Sequence, residues 1–89
     1  MKMVSQKVTI KNPSGLHARP ASILAQAAGK CKSNVIIVNG SKQIQAKSIL
    51  NIMAAAIKCG TEIEVQCTGE TEAEDLKSIV ELIESGLGE

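Results

Sequence analysis

Along the first ten residues Val4, Val8 and Ile10 alternate with Ser5, Lys7 and Thr9, the two-residue period of a strand with one face buried. Asn12-Pro13-Ser14-Gly15 then ends it as a turn. From Ala18 to Ala28 the period changes: Ala21, Leu24, Ala25 and Ala28 recur at helical spacing and Gly29 stops the pattern. Pro20 fits only a first turn, so this helix begins close to His17. Asn34 to Val38 is dense in β-branched residues, Asn39-Gly40 is a hairpin signal, and Gln43 to Ala46 alternates again. Ser48 is a good N-cap for a short apolar helix through Ile49, Leu50, Ile52 and Met53, which Ala54 to Ile57 could prolong. Glu62 to Thr68 places Ile63, Val65 and Cys67 on one face of a strand and Glu62, Glu64 and Gln66 on the other. Thr71 to Glu74 reads as a capping box for a last helix with the stripe Ala73, Leu76, Ile79, Val80 and Ile83, closed by Gly86. The order β-α-β-β-α-β-α is satisfied by an α+β fold: an open-faced sandwich of a four-stranded antiparallel sheet with three helices on one face.

Composition narrows what such a fold can do. Eighty-nine residues are read as one small domain spanning 1–89, and 23 Ile, Val and Leu supply a modest aliphatic core. The chain has no Trp, Tyr or Phe, so it lacks the stacking platforms of single-strand and RNA-binding modules, and a net charge of +1 gives no pull toward nucleic acid. Cys31, Cys59 and Cys67 are odd in number and widely spaced, with one His to join them, which argues against a disulfide framework or a zinc site. Free thiols, the lack of an apolar leader and the lack of a membrane-length apolar run point to the cytoplasm, with no membrane insertion.

The small net charge hides an asymmetry. Residues 1–60 hold nine Lys or Arg and no acid, whereas residues 61–89 hold nine acids and one Lys, so an anion site belongs in the first two-thirds. There the only His and the only Arg stand two positions apart in Gly15-Leu16-His17-Ala18-Arg19-Pro20-Ala21, at the expected start of the first helix. Unpaired amides of that turn, including the one at Ala18, and the positive end of the helix dipole make a phosphate cradle. The same positive end disfavours imidazolium and so favours a nucleophilic ring nitrogen on His17. Arg19 adds a planar, permanently charged fork matched to phosphate. These residues suit a phosphoryl acceptor, although a lone His beside Pro is ordinarily a surface or capping residue. Arg19, preceding Pro20, is also biased away from helical backbone.

The run Gly15 to Ala21 resembles the active-site signature of the HPr family, the histidine-containing phosphocarriers of the bacterial phosphoenolpyruvate-dependent sugar phosphotransferase system. Lys47 to Met53 resembles the regulatory serine segment of Gram-positive members, and Ser85 to Glu89 their closing residues, so the resemblance spans the chain. It implies that enzyme I, charged by phosphoenolpyruvate, donates a phosphoryl group to Nδ1 of His17, with Arg19 stabilising it, and that the group passes on to IIA units of sugar permeases. It further implies a monomeric carrier in a relay rather than an autonomous enzyme. A carrier needs a P–N bond that can leave again; the sequence offers one Arg and backbone amides, and no acid cluster for a metal. No cofactor is expected. Ser14 and Gly15, in the preceding turn, shape the approach.

By the same resemblance, Ser48 is phosphorylated by an HPr kinase/phosphorylase, and the product is corepressor for a catabolite control protein. As an N-cap, Ser48 also has an ordinary structural role worth about 1 kcal/mol. A phosphoserine there, beside Lys47, is stabilised by dipole and cation, so its effect must lie at the surface. Ile49, Leu50 and Met53 cannot all face the core of so short a helix and are the candidate docking patch. Three other readings stay open: a regulatory paralogue acting mainly as corepressor, although such homologues lack the active His; a nitrogen-branch carrier; and a small non-catalytic α+β binding domain.

Overall fold

A computed structural model describes residues 3–88. Its elements follow the expected order: β1 Val4–Thr9, α1 Ala18–Lys30, β2 Asn34–Asn39, β3 Lys42–Gln45, α2 Ile49–Ala54, β4 Glu62–Thr68 and α3 Glu72–Glu84. The strands form one antiparallel sheet in the order β1-β4-β2-β3, so the last strand inserts between the first two. Alternation then decides the faces. Val8, Val35, Ile37, Ile44, Ile63, Val65 and Cys67 are buried, while Lys7, Glu62, Gln43 and Gln45 point the other way into solvent. The helices cover the apolar face: α3 packs on β1 and β4, α2 on β3, and α1 against both other helices. Leu24, Ile37, Ile79 and Ile83 meet in the shared core.

Several boundaries differ from the sequence expectation. Gly29 does not stop α1, which continues to Lys30 and is capped at Cys31, whose N–H donates to the Ala28 carbonyl at 3.1 Å. The cost of a mid-helix glycine, about 1 kcal/mol against alanine, is too small to end a helix already docked on the core. The hairpin turn is Gly40-Ser41, because Asn39 pairs with Lys42 as the last strand residue. α2 does not run on through Ile57, since Ala56 takes a left-handed backbone (φ 53) and ends it. Ala73 is exposed, so the buried stripe of α3 starts later, at half-buried Leu76.

The capping box at Thr71 is replaced by a different arrangement. Thr71 makes no side-chain cap; its hydroxyl donates to Asp75 Oδ2 at 2.7 Å, and that carboxylate also accepts the Ser33 N–H at 3.1 Å. Glu72 accepts the Gly69 N–H at 3.0 Å. Asp75 thus ties α3 to the α1–β2 connection, while Glu72 closes the loop between β4 and α3. Burial tends to raise the Asp75 carboxyl, but the hydrogen bonds from Ser33 and Thr71 outweigh it and hold the group below the usual carboxylate range. The far end of α3 closes as expected at Gly86: its N–H donates to Ile83 O, and the Leu87 N–H to Leu82 O, the paired bonds of a Schellman motif. Leu87 is fully buried there and seals the end of the core.

Candidate functional site

The loop between β1 and α1 is held from both sides before it reaches His17. Asn12 is buried; its carbonyl accepts the Gly15 N–H at 3.0 Å and its side-chain amide donates to the Gly15 carbonyl. Gly15 has φ 69, and a Cβ there would stand 2.5 Å from Ile57 O and 2.9 Å from Lys58 Cα. Both the backbone conformation and the approach of the 57–61 segment therefore require glycine. Leu16, buried, donates its N–H to that same Ile57 carbonyl at 2.8 Å.

This anchoring delivers His17 to the N-cap of α1, in extended conformation, with its carbonyl accepting the Ala21 N–H at 2.8 Å. The ring makes no cap hydrogen bond and is exposed, as are Ala18 and Arg19. Arg19 occupies the second helical position despite preceding Pro20, whose buried ring docks the first turn. Because Pro20 has no N–H, the first-turn amides open to an anion are those of Ala18 and Arg19, and no acid of that turn competes with one. The structure thus brings His17, Ala18 and Arg19 together on one exposed helix end.

A hollow of about 250 Å³ lies beside the imidazole. Ser14, Leu16 and His17 line it from the loop, Met53 and Ala56 from the end of α2, and Lys58 from the following turn. Asn12 and Lys58 escaped the sequence reading. Asn12 differs from an ordinary turn residue only by burial, and Lys58 lies 41 positions from His17 in the chain.

Ser48 caps α2, its Oγ accepting the Asn51 N–H at 3.2 Å. Met53, near the other end of that helix, borders the hollow, so Ser48 stands about 7.5 Å along the axis from it, at 1.5 Å per residue. Along this helix Ile49, Leu50 and Met53 are all exposed, Leu50 to 80 %, while Ile52 is fully buried. The three thiols are free and lie apart in character: Cys59 is exposed, Cys31 half-buried and Cys67 buried. Burial first, with Cys31 and Asp75 adding to it, pushes the Cys67 thiol up to about 11. No helix among the described residues is long and apolar enough to cross a membrane, and none of their His, Cys, Asp and Glu cluster in threes as a metal site needs.

Residues 4–85 match the family model described as PTS HPr component phosphorylation site. The phosphocarrier protein HPr of Mycoplasma capricolum is 46% identical over 77 residues, 86% of each chain. The HPr-like protein Crh of Bacillus subtilis is 37% identical over 82 residues, 92% of this chain and 96% of that one. Among solved structures, HPr-C-His from Thermoanaerobacter tengcongensis superposes with a TM-score of 0.89 at 40% identity, covering 100% of this chain and 98% of the other.

Proposed function

This chain belongs to the HPr family of the phosphotransferase system, and on that premise we propose that His17 accepts a phosphoryl group from enzyme I and passes it to IIA units of sugar permeases. The observation that carries the reading is the geometry at the start of α1. His17, with its ring exposed and free of any capping bond, is the N-cap residue of the helix, and Ala18 and Arg19, both exposed, follow it in the first turn. In the transfer, a ring nitrogen of His17, Nδ1 by the family resemblance, attacks phosphorus as the bond to the donor atom breaks. The acceptor ring gives up one proton and the donor takes one up, so charge balances. Arg19 and the two amides neutralise the oxygens throughout. The exposure of the site suits a carrier, because a deeply buried phosphoryl group could not be handed on.

Ser48 is the regulatory phosphorylation site in this reading, modified by an HPr kinase/phosphorylase, with the product recognised by a catabolite control protein. The exposed patch of Ile49, Leu50 and Met53 docks the carrier's partners in this reading, and the carrier is a cytoplasmic monomer between encounters. A phosphoserine at the far end of α2 places its charge at the rim of that patch, so it acts on docking. A second reading, a corepressor without a carrier role, is favoured by the likeness to Crh. Incubation with labelled phosphoenolpyruvate and enzyme I separates the two. A carrier gains acid-labile label that chases onto a IIA unit and is absent from His17→Ala; label that survives the substitution, or no label on the wild type, defeats the carrier reading.

A further inference from the structure

Arg19 and the first-turn amides belong to α1, and the hollow that His17 lines is bordered from another segment by a cation outside the signature run, Lys58. We propose that Lys58 is a second phosphate-binding residue of the acceptor site, meeting the phosphoryl oxygens from the 57–61 turn; this rests on His17 being the acceptor.

The backbone at Lys58 is fixed relative to His17. Its Cα would lie 2.9 Å from a Cβ on Gly15, two residues before the imidazole. On one side Ile57 O holds the Leu16 N–H at 2.8 Å. On the other, Lys58 O accepts the Thr61 N–H at 3.1 Å, and the Gly60 N–H reaches Ile10 O at 2.8 Å. Only the flexible stem of Lys58 remains to be ordered when an anion arrives. Among the described residues none that borders the hollow is acidic, so none of their carboxylates competes for the ammonium, and the apolar walls of Leu16 and Met53 reduce screening there.

The chemistry sets the direction of the effect. A phosphoryl group on nitrogen carries close to two negative charges, whereas the metaphosphate-like group of a loose transition state carries about one. A fixed cation therefore holds the bound state more strongly than the transition state and slows spontaneous loss. In that loss water adds to phosphorus, the P–N bond breaks, the ring nitrogen takes up a proton and inorganic phosphate leaves. Lys58 itself makes and breaks no covalent bond.

The test uses the full chain, phosphorylated with phosphoenolpyruvate and enzyme I and then purified away from them. At neutral pH and low salt, phospho-Lys58→Gln is expected to lose phosphate about two- to five-fold faster than the wild type, the scale of a partly exposed ion pair. The difference should shrink toward 1 M salt, where charges are screened within about 3 Å, and Lys58→Arg should restore the slow rate. A purely structural role would be neither salt-sensitive nor rescued by arginine. Equal hydrolysis rates, with only the KM for phosphoryl transfer raised, would mean that Lys58 serves docking alone and would overturn the proposal while leaving His17 as acceptor. If His17 gains no phosphate at all, the parent reading fails as well.

Discussion

At the scale of single residues, Gly15 shows how much of the site depends on backbone rather than side chains. Gly15 and Gly40 have nearly the same left-handed φ, 69 and 63, yet a Cβ at Gly40 meets nothing within 4 Å, whereas at Gly15 it strikes the Ile57 carbonyl. Gly40→Ala should therefore cost only the conformational penalty, about 1 kcal/mol. Gly15→Ala adds displacement of the 57–61 segment and is expected to lose at least ~2–3 kcal/mol together with much of the phosphoryl acceptance, as urea titration and labelling would record. Equal losses would mean that the close approach does not constrain the loop. The signature run announced His17, Arg19 and Gly15 because those residues are contiguous. Asn12 is set apart by burial and Lys58 by bordering the same hollow as His17 from 41 positions away, neither of which has a local pattern.

At the scale of elements, the change between a two-residue and a 3.6-residue period marked β1, α1, β3, β4 and α3, while β-branched density marked β2 and the Ser48 N-cap marked α2. Endings were harder to read, since they turn on small local energies that packing overrides. Gly29 stays helical, whereas Ala56, a good helix former, sits in a left-handed conformation that terminates α2. Two substitutions on that helix follow. Ser48→Ala should cost about 1 kcal/mol through the lost cap to Asn51 N–H, with Ser48→Asp close to wild type. Ala56→Gly should gain roughly 0.5–1 kcal/mol by relieving the φ of 53. Thermal or urea unfolding measures both; a destabilised Ala56→Gly would show that the alanine methyl contributes more than its backbone costs.

Asp75 acts between elements. Its carboxyl is held below the usual carboxylate range, so its contribution to stability is complete above the unfolded pKa near 4 and is lost as pH falls through the folded value. Asp75→Asn should leave a flatter acid limb in a stability-against-pH titration. An unchanged limb would place the acid sensitivity elsewhere among the carboxylates.

At the scale of the whole molecule, the charge asymmetry along the chain is partly mixed by the fold, since Lys7 on β1 stands opposite Glu64 on β4. The acids of α3 and β4 lie with the elements that pair with β1 and cover it, while Arg19, Lys47 and Lys58 surround the helix end and α2. In a chain with no aromatic ring, the proposed docking surface is Leu50, Ile49 and Met53 within this basic rim, suited to brief, electrostatically steered encounters. Leu50 is 80 % exposed, so Leu50→Gln should change stability by less than ~0.5 kcal/mol while raising the KM for transfer from enzyme I. A wild-type KM would remove the patch from the docking surface. The central claim, that the exposed imidazole at the start of α1 is the phosphoryl acceptor, is tested most directly by NMR of the ¹⁵N-labelled chain phosphorylated by phosphoenolpyruvate and enzyme I. A one-bond ¹⁵N–³¹P coupling on Nδ1 of His17 is the expected result; phosphate on any other group, or on none, would contradict it.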